Sequence, residues 1–153
     1  MHRSSRVTTA RVWAARPLGG IVVLLAVAAC ATTQTRALTE GDQTLLVQTV
    51  SDSGADAALV GDLGVNDRGC LGLVGADGTV TTAIWPQGFD LVSEGRVRTA
   101  RGTVLEIGAS ISGGGGRTHF EAAYPALADL CLPDGIDPDD EAAEVIVLAS
   151  VDP

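Results

Sequence analysis

The chain has 153 residues, enough for one domain of ordinary size and too few for two. It has no lysine, 19 glycines, 3% aromatics, and 19 acids against 10 basic residues, a formal charge of −9. That balance excludes a protein that tracks nucleic-acid phosphates, because binding of that kind needs basic groups to release the backbone's counterions.

The charges are unevenly placed. Arg3, Arg6, Arg11 and Arg16 precede an apolar run, and no acid stands among them. Beyond Cys30 there are six arginines against 19 acids, a balance of −13. Such a segment gains nothing from anionic lipid headgroups, so any membrane attachment has to come from elsewhere in the chain.

The apolar run is Leu18 to Cys30, LGGIVVLLAVAAC. As a helix it reaches about 20 Å at 1.5 Å per residue, against about 30 Å for a bilayer core. A basic start, a short apolar centre and a small-residue exit read as an export signal. The arginines are scattered, which favours the general secretory route over the twin-arginine one. The exit, Val27-Ala28-Ala29-Cys30, resembles the lipobox of bacterial lipoproteins, in which an aliphatic residue sits three before an obligatory cysteine with small residues between. The resemblance implies cleavage between Ala29 and Cys30 and a diacylglyceryl group on the Cys30 thiol. A thiolate is the nucleophile that such a thioether requires. It also implies a domain held on the extracytoplasmic side of a bacterial cell membrane, since two or more acyl chains suffice for stable attachment. Two other readings of the run are a simple cleaved signal and a short uncleaved anchor.

On this basis residues 1–29 are the signal peptide, 30–43 the lipidated N-terminus and flexible tether, and 44–153 a single β-rich domain. The tether is expected because ATTQTRALTEGDQ (31–43) is rich in Thr and Gln and poor in large apolar residues. Thr44–Val50 is the first expected strand. Ala57–Val60 reads as a short strand or a helical turn. Gly69–Val74 and Thr79–Trp85 form an expected hairpin around Gly75-Ala76-Asp77-Gly78, with Asp-Gly as the turn signal, and Pro86 ends it. Arg96–Thr99 alternates as a half-exposed strand, and Thr103–Ile107 follows a turn at Arg101-Gly102. Gly113–Gly116 reads as a flexible exposed loop, because it lacks the spacing and lysine of a phosphate loop. His119–Leu130 carries a weak helical pattern broken by Pro125. Asp137-Pro138 resembles an N-cap followed by proline, with one turn of helix at most. Val145–Ala149, apolar on both faces, is the closing strand and is expected to be central. Short strands at regular spacing predict a mainly β fold, a small OB-like barrel or sandwich with at most one or two short helices.

The cysteines are consistent with this scheme. With Cys30 acylated, Cys70 and Cys131 remain and can form a disulfide outside the cytoplasm. Closing a loop of that length stabilises by about 4 kcal/mol in the chain-entropy view. Gly69-Cys70-Leu71-Gly72-Leu73 and Ile84-Trp85-Pro86-Gln87-Gly88, with the four-glycine run, resemble a pattern in small exported bacterial proteins where a cysteine-bearing strand pairs with one ending in Trp-Pro. This resemblance implies a compact OB-like barrel and brings no catalytic residue with it.

No motif calls for a cofactor or a metal. The reading is a membrane-anchored module that binds or interacts without catalysis, its partner an envelope protein or a small ligand and not nucleic acid. One alternative is an envelope enzyme or enzyme accessory using the Ser110–His119 region, with His119 as base for Ser110 or Ser112. A second is a weak calcium-binding domain built on the acidic 134–144 stretch: Asp134, Asp137, Asp139, Asp140 and Glu141.

Overall fold

The computed structural model describes residues 35–50, 57–120, 124–137, 140 and 143–152. Its strands are β1 (Thr35–Glu40), β2 (Gln43–Gln48), β3 (Ala57–Val65), β4 (Leu71–Val74), β5 (Val80–Trp85), β6 (Asp90–Ser93), β7 (Arg96–Arg98), β8 (Val104–Glu106), β9 (Ser110–His119) and β10 (Glu144–Asp152). Between β9 and β10 the described residues include a short helix, α1 (Pro125–Cys131), with its proline in the first turn where a missing N–H costs nothing.

Five strands close on themselves in the order β3–β4–β5–β10–β9 and back to β3. Only the β5–β10 contact in this ring is parallel. The result is a small Greek-key barrel of the OB-like kind, so the expected barrel is the architecture and the sandwich is not. β6, β7 and β8 form a separate antiparallel meander between the third and fourth barrel strands.

Strand parity explains the apolar strands. On β2, Leu45 and Val47 face the barrel core while Leu46 faces a second cluster under α1. On β5, Ala83 and Trp85 go inward and Ile84 outward; on β10, Ile146 and Leu148 go inward and Val145 outward. Residues alternate between faces of a strand, so a strand covered on both sides has to be apolar throughout. Burying each of the leucine, isoleucine and valine side chains among them stabilises by roughly 1.5–3 kcal/mol. The meander adds Leu91, Val97 and Leu105 to the barrel core, and Phe89 tilts against Trp85 with ring centroids 5.6 Å apart.

Several expectations hold. Val145–Ala149 lies within β10, which pairs with both β5 and β9. The Asp-Gly hairpin forms between β4 and β5, with Gly78 at φ +82°.

Two expectations are corrected. The stretch expected as a tether, 30–43, contains β1, which pairs along its whole length with β2. Its polar sequence hides this because only Leu38 packs on the core. The β1–β2 turn is also pinned from outside: Glu94 accepts from the Asp42 amide at 3.1 Å, and Gln43 accepts from the Gly95 amide. The four-glycine run is not a loop but the middle of β9. A Cβ on Gly113 would stand 2.1 Å from Ser150 O, and one on Gly115 2.3 Å from Val147 O. The glycines let β9 lie tightly on β10, where the register shifts between Leu148 and Ser150. Ala57–Val60 is the start of the nine-residue β3.

Candidate functional site

Two connections meet on one side of the barrel. The first is the β3–β4 turn, from Asn66 to Cys70. The second is the long β9–β10 connection that carries α1. Asn66 uses both ends of its amide: Nδ2 donates to Thr82 Oγ1 and to Cys131 O, each at 2.9 Å, and Oδ1 accepts from the amides of Arg68 and Cys70 at 3.0 and 2.9 Å. Arg68 donates to Asp134 Oδ1 and to Asp129 O, both at 2.8 Å. Cys70 and Cys131 are joined as a disulfide with Cα atoms 5.5 Å apart, and both residues are fully buried. The expected pairing is thus the one the fold makes.

These ties fix α1 and with it the chain that follows, whose Leu132, Pro133 and Ile136 form one wall of a groove of about 810 Å³. The opposite wall is the β4–β5 hairpin and the first half of β5. Phe120, Leu132 and Ile136 supply apolar lining, and Asp67, Asp77 and Asp140 supply carboxylates. Arg117 enters from β9 and is held by Glu144 at 3.1 Å. Thr79 donates to the Asp77 carboxylate from its amide at 3.0 Å and its hydroxyl at 2.9 Å. These bonds, the amide's first, hold the Asp77 carboxyl below the usual carboxylate range.

The remaining residues singled out in the sequence do not gather here. Ser110 and His119 stand at opposite ends of β9, about 30 Å apart at ~3.3 Å per residue, so the loop that would have joined a serine to a histidine base is an extended strand. Ser110 instead donates to Asp62 at 2.7 Å, and Ser112 to Asp152 O at 3.2 Å. His119 is half-buried, and its Nδ1 has no hydrogen-bond partner among the described residues. Of the acidic stretch, Asp134 is taken by Arg68 and the Asp137 carbonyl accepts from the Asp140 amide at 2.8 Å. Asp139 and Glu141 lie outside the described residues, as do Ala29 and Cys30. Among the described residues no three His, Cys, Asp or Glu side chains are placed to hold a metal ion.

Sequence reasoning missed Asn66, Asp67 and Arg68. The Asn-Asp-Arg-Gly turn announces a reversal of the chain, but nothing local announces that Asn66 reaches Cys131. Comparison with family models, with curated proteins and with solved structures returned no match to this chain.

Proposed function

We propose that this chain is an extracytoplasmic bacterial lipoprotein, anchored by lipid on Cys30, whose OB-like barrel acts as a non-catalytic binding module of the cell envelope. The observation that supports it most is the position of the groove. It lies where the β3–β4 and β9–β10 connections meet beside the second and third barrel strands, the side on which OB barrels take their ligands. The lipobox-like Val27-Ala28-Ala29-Cys30 supports the anchor. A disulfide between two buried cysteines fits an oxidising compartment.

The test is site-specific photocrosslinking in the native envelope, followed by mass spectrometry. A photoreactive residue at Ala76, on the exposed rim of the groove, is expected to capture a discrete species that the same group at Val104, on the meander, does not capture. Identical products from the two positions overturn the groove as the site. Intact mass settles the anchor separately: an unmodified Cys30 in the mature protein overturns the lipoprotein reading.

A further inference from the structure

The lining of the groove carries more than its location. Thr79, Val80, Thr81 and Thr82 line it in succession. Side chains of a strand alternate between faces, so consecutive lining residues expose a strand's edge and not one of its faces. The register agrees. On one side Val80, Thr81 and Thr82 pair with β4. On the other, the β10 ladder takes up only Ala83 and Ile84. Carried back at the same register, Glu144 at the start of β10 falls level with Thr81, but the ladder does not reach it, and Val80 lies beyond the end of β10. Glu144 and Arg117 line the same groove from the first residue of β10 and the end of β9.

Resting on the reading of the groove as a binding site, we propose that its ligand is an extended basic peptide segment of an envelope protein, which adds to the free edge of β5 as a short strand. Main-chain groups of such a segment bond to the N–H and C=O of Val80, which turn away from β4, while those of Thr81 face Leu73 in the ladder; an open sheet edge offers this mode of recognition. Charge selects the segment. Asp67 and Asp77 line the groove, while Arg117 is already matched by Glu144. Lysine or arginine is attracted there, and a phosphate or an acidic peptide is repelled. Apolar residues of the segment meet Phe120, Leu132 and Ile136. A single-stranded nucleic acid is held largely by stacking on exposed aromatic faces. Phe120 is the aromatic residue in the described lining and is 1% exposed.

The full chain, purified in detergent, is titrated calorimetrically with capped Val-Lys-Val-Lys-Val, with capped Val-Glu-Val-Glu-Val, with the lysine peptide N-methylated at alternate amides, and with chitohexaose. The lysine peptide is expected to bind. N-methylation and replacement of lysine by glutamate should each weaken binding at least about tenfold, the loss of roughly one charged or main-chain hydrogen bond. The double variant Asp67→Asn, Asp77→Asn should weaken the lysine peptide comparably, with its melting curve as the control for folding. Equal binding of the N-methylated peptide overturns strand addition, and equal binding of the glutamate peptide overturns charge selection. Binding of chitohexaose without the lysine peptide overturns this proposal and leaves the groove a binding site. Failure of every probe, joined with identical crosslinks from Ala76 and Val104, removes both readings.

Discussion

Asn66 joins a turn, a strand and a helix end through four hydrogen bonds. Replacing it leaves the part-buried Cys70 amide without a partner, exposes the Arg68 amide to water, and leaves the Cys131 carbonyl with only the 3.5 Å bond from Thr82 Oγ1. Asn66→Ala is expected to lower unfolding stability by about 2 kcal/mol, read from urea unfolding; a loss below a few tenths would mean that water replaces all four bonds. Two neighbouring glycines make a sharper comparison. A Cβ on Gly115 meets Val147 O at 2.3 Å and Leu59 Cδ1 at 2.7 Å, whereas one on Gly114 meets only Ser150 Oγ at 3.2 Å. Backbone cannot step aside as a hydroxyl can, so Gly115→Ala should cost about 1–3 kcal/mol and Gly114→Ala clearly less. Equal melting temperatures for the two variants would contradict the close approach of β9 to β10. At Asp77 the sign of the pH effect follows from the lowered carboxyl: the turn's stabilisation is present above the ordinary carboxylate range and is lost as pH falls through the depressed value. The Thr79 amide resonance should report this titration, and a midpoint at or above the ordinary aspartate value would refute it.

At the scale of elements, α1 is too short to stand alone. A helix of seven residues is far below the length at which an isolated helix is stable in water. It is held by the disulfide, by Asn66 and Arg68, and by Ala128 buried in the second cluster. Cys131→Ser should therefore release α1 while the barrel strands keep their pairing. Hydrogen exchange is expected to show protection lost over 125–131 and retained in β9 and β10; uniform loss would show that the disulfide supports the whole barrel. Non-reducing peptide mapping should recover Cys70 joined to Cys131, and two free thiols would refute the pair. What was legible in the sequence follows the range of the forces involved. The β4–β5 hairpin was legible because Asp77-Gly78 sets its turn locally, and β10 because both of its faces are apolar. β1 was not, since a polar strand that buries Thr35 and lays only a partly buried Leu38 on the core has no hydrophobic period. The strand through Gly113–Gly116 was not, since glycine there answers to the backbone of β10, distant in sequence, as the approach of Gly113 to Ser150 O and of Gly115 to Val147 O shows. The groove was the least legible part, because it exists only where two distant connections are tied together.

For the molecule as a whole, the anchor and the charge belong together. Everything after Cys30 is strongly acidic, so the proposed lipid has to supply the attachment that the domain's own surface opposes. Cys30→Ala should move the protein from the membrane to the soluble fraction or stall its processing, as read by fractionation; unchanged membrane retention would sink the anchor. The first strand sharpens what anchoring means. β1 begins at Thr35, five residue steps from Cys30, and a fully extended chain covers at most about 3.3–3.6 Å per residue. A lipid on Cys30 would thus hold the barrel within about 18 Å of the bilayer surface. If the proposed anchor holds, a connection that short would confine the groove to a thin layer next to the membrane, and the search for a partner would be lateral. The segments captured would then be those that emerge near the same bilayer, and a Gly-Ser insert after Cys30 should widen the set that crosslinks to Ala76.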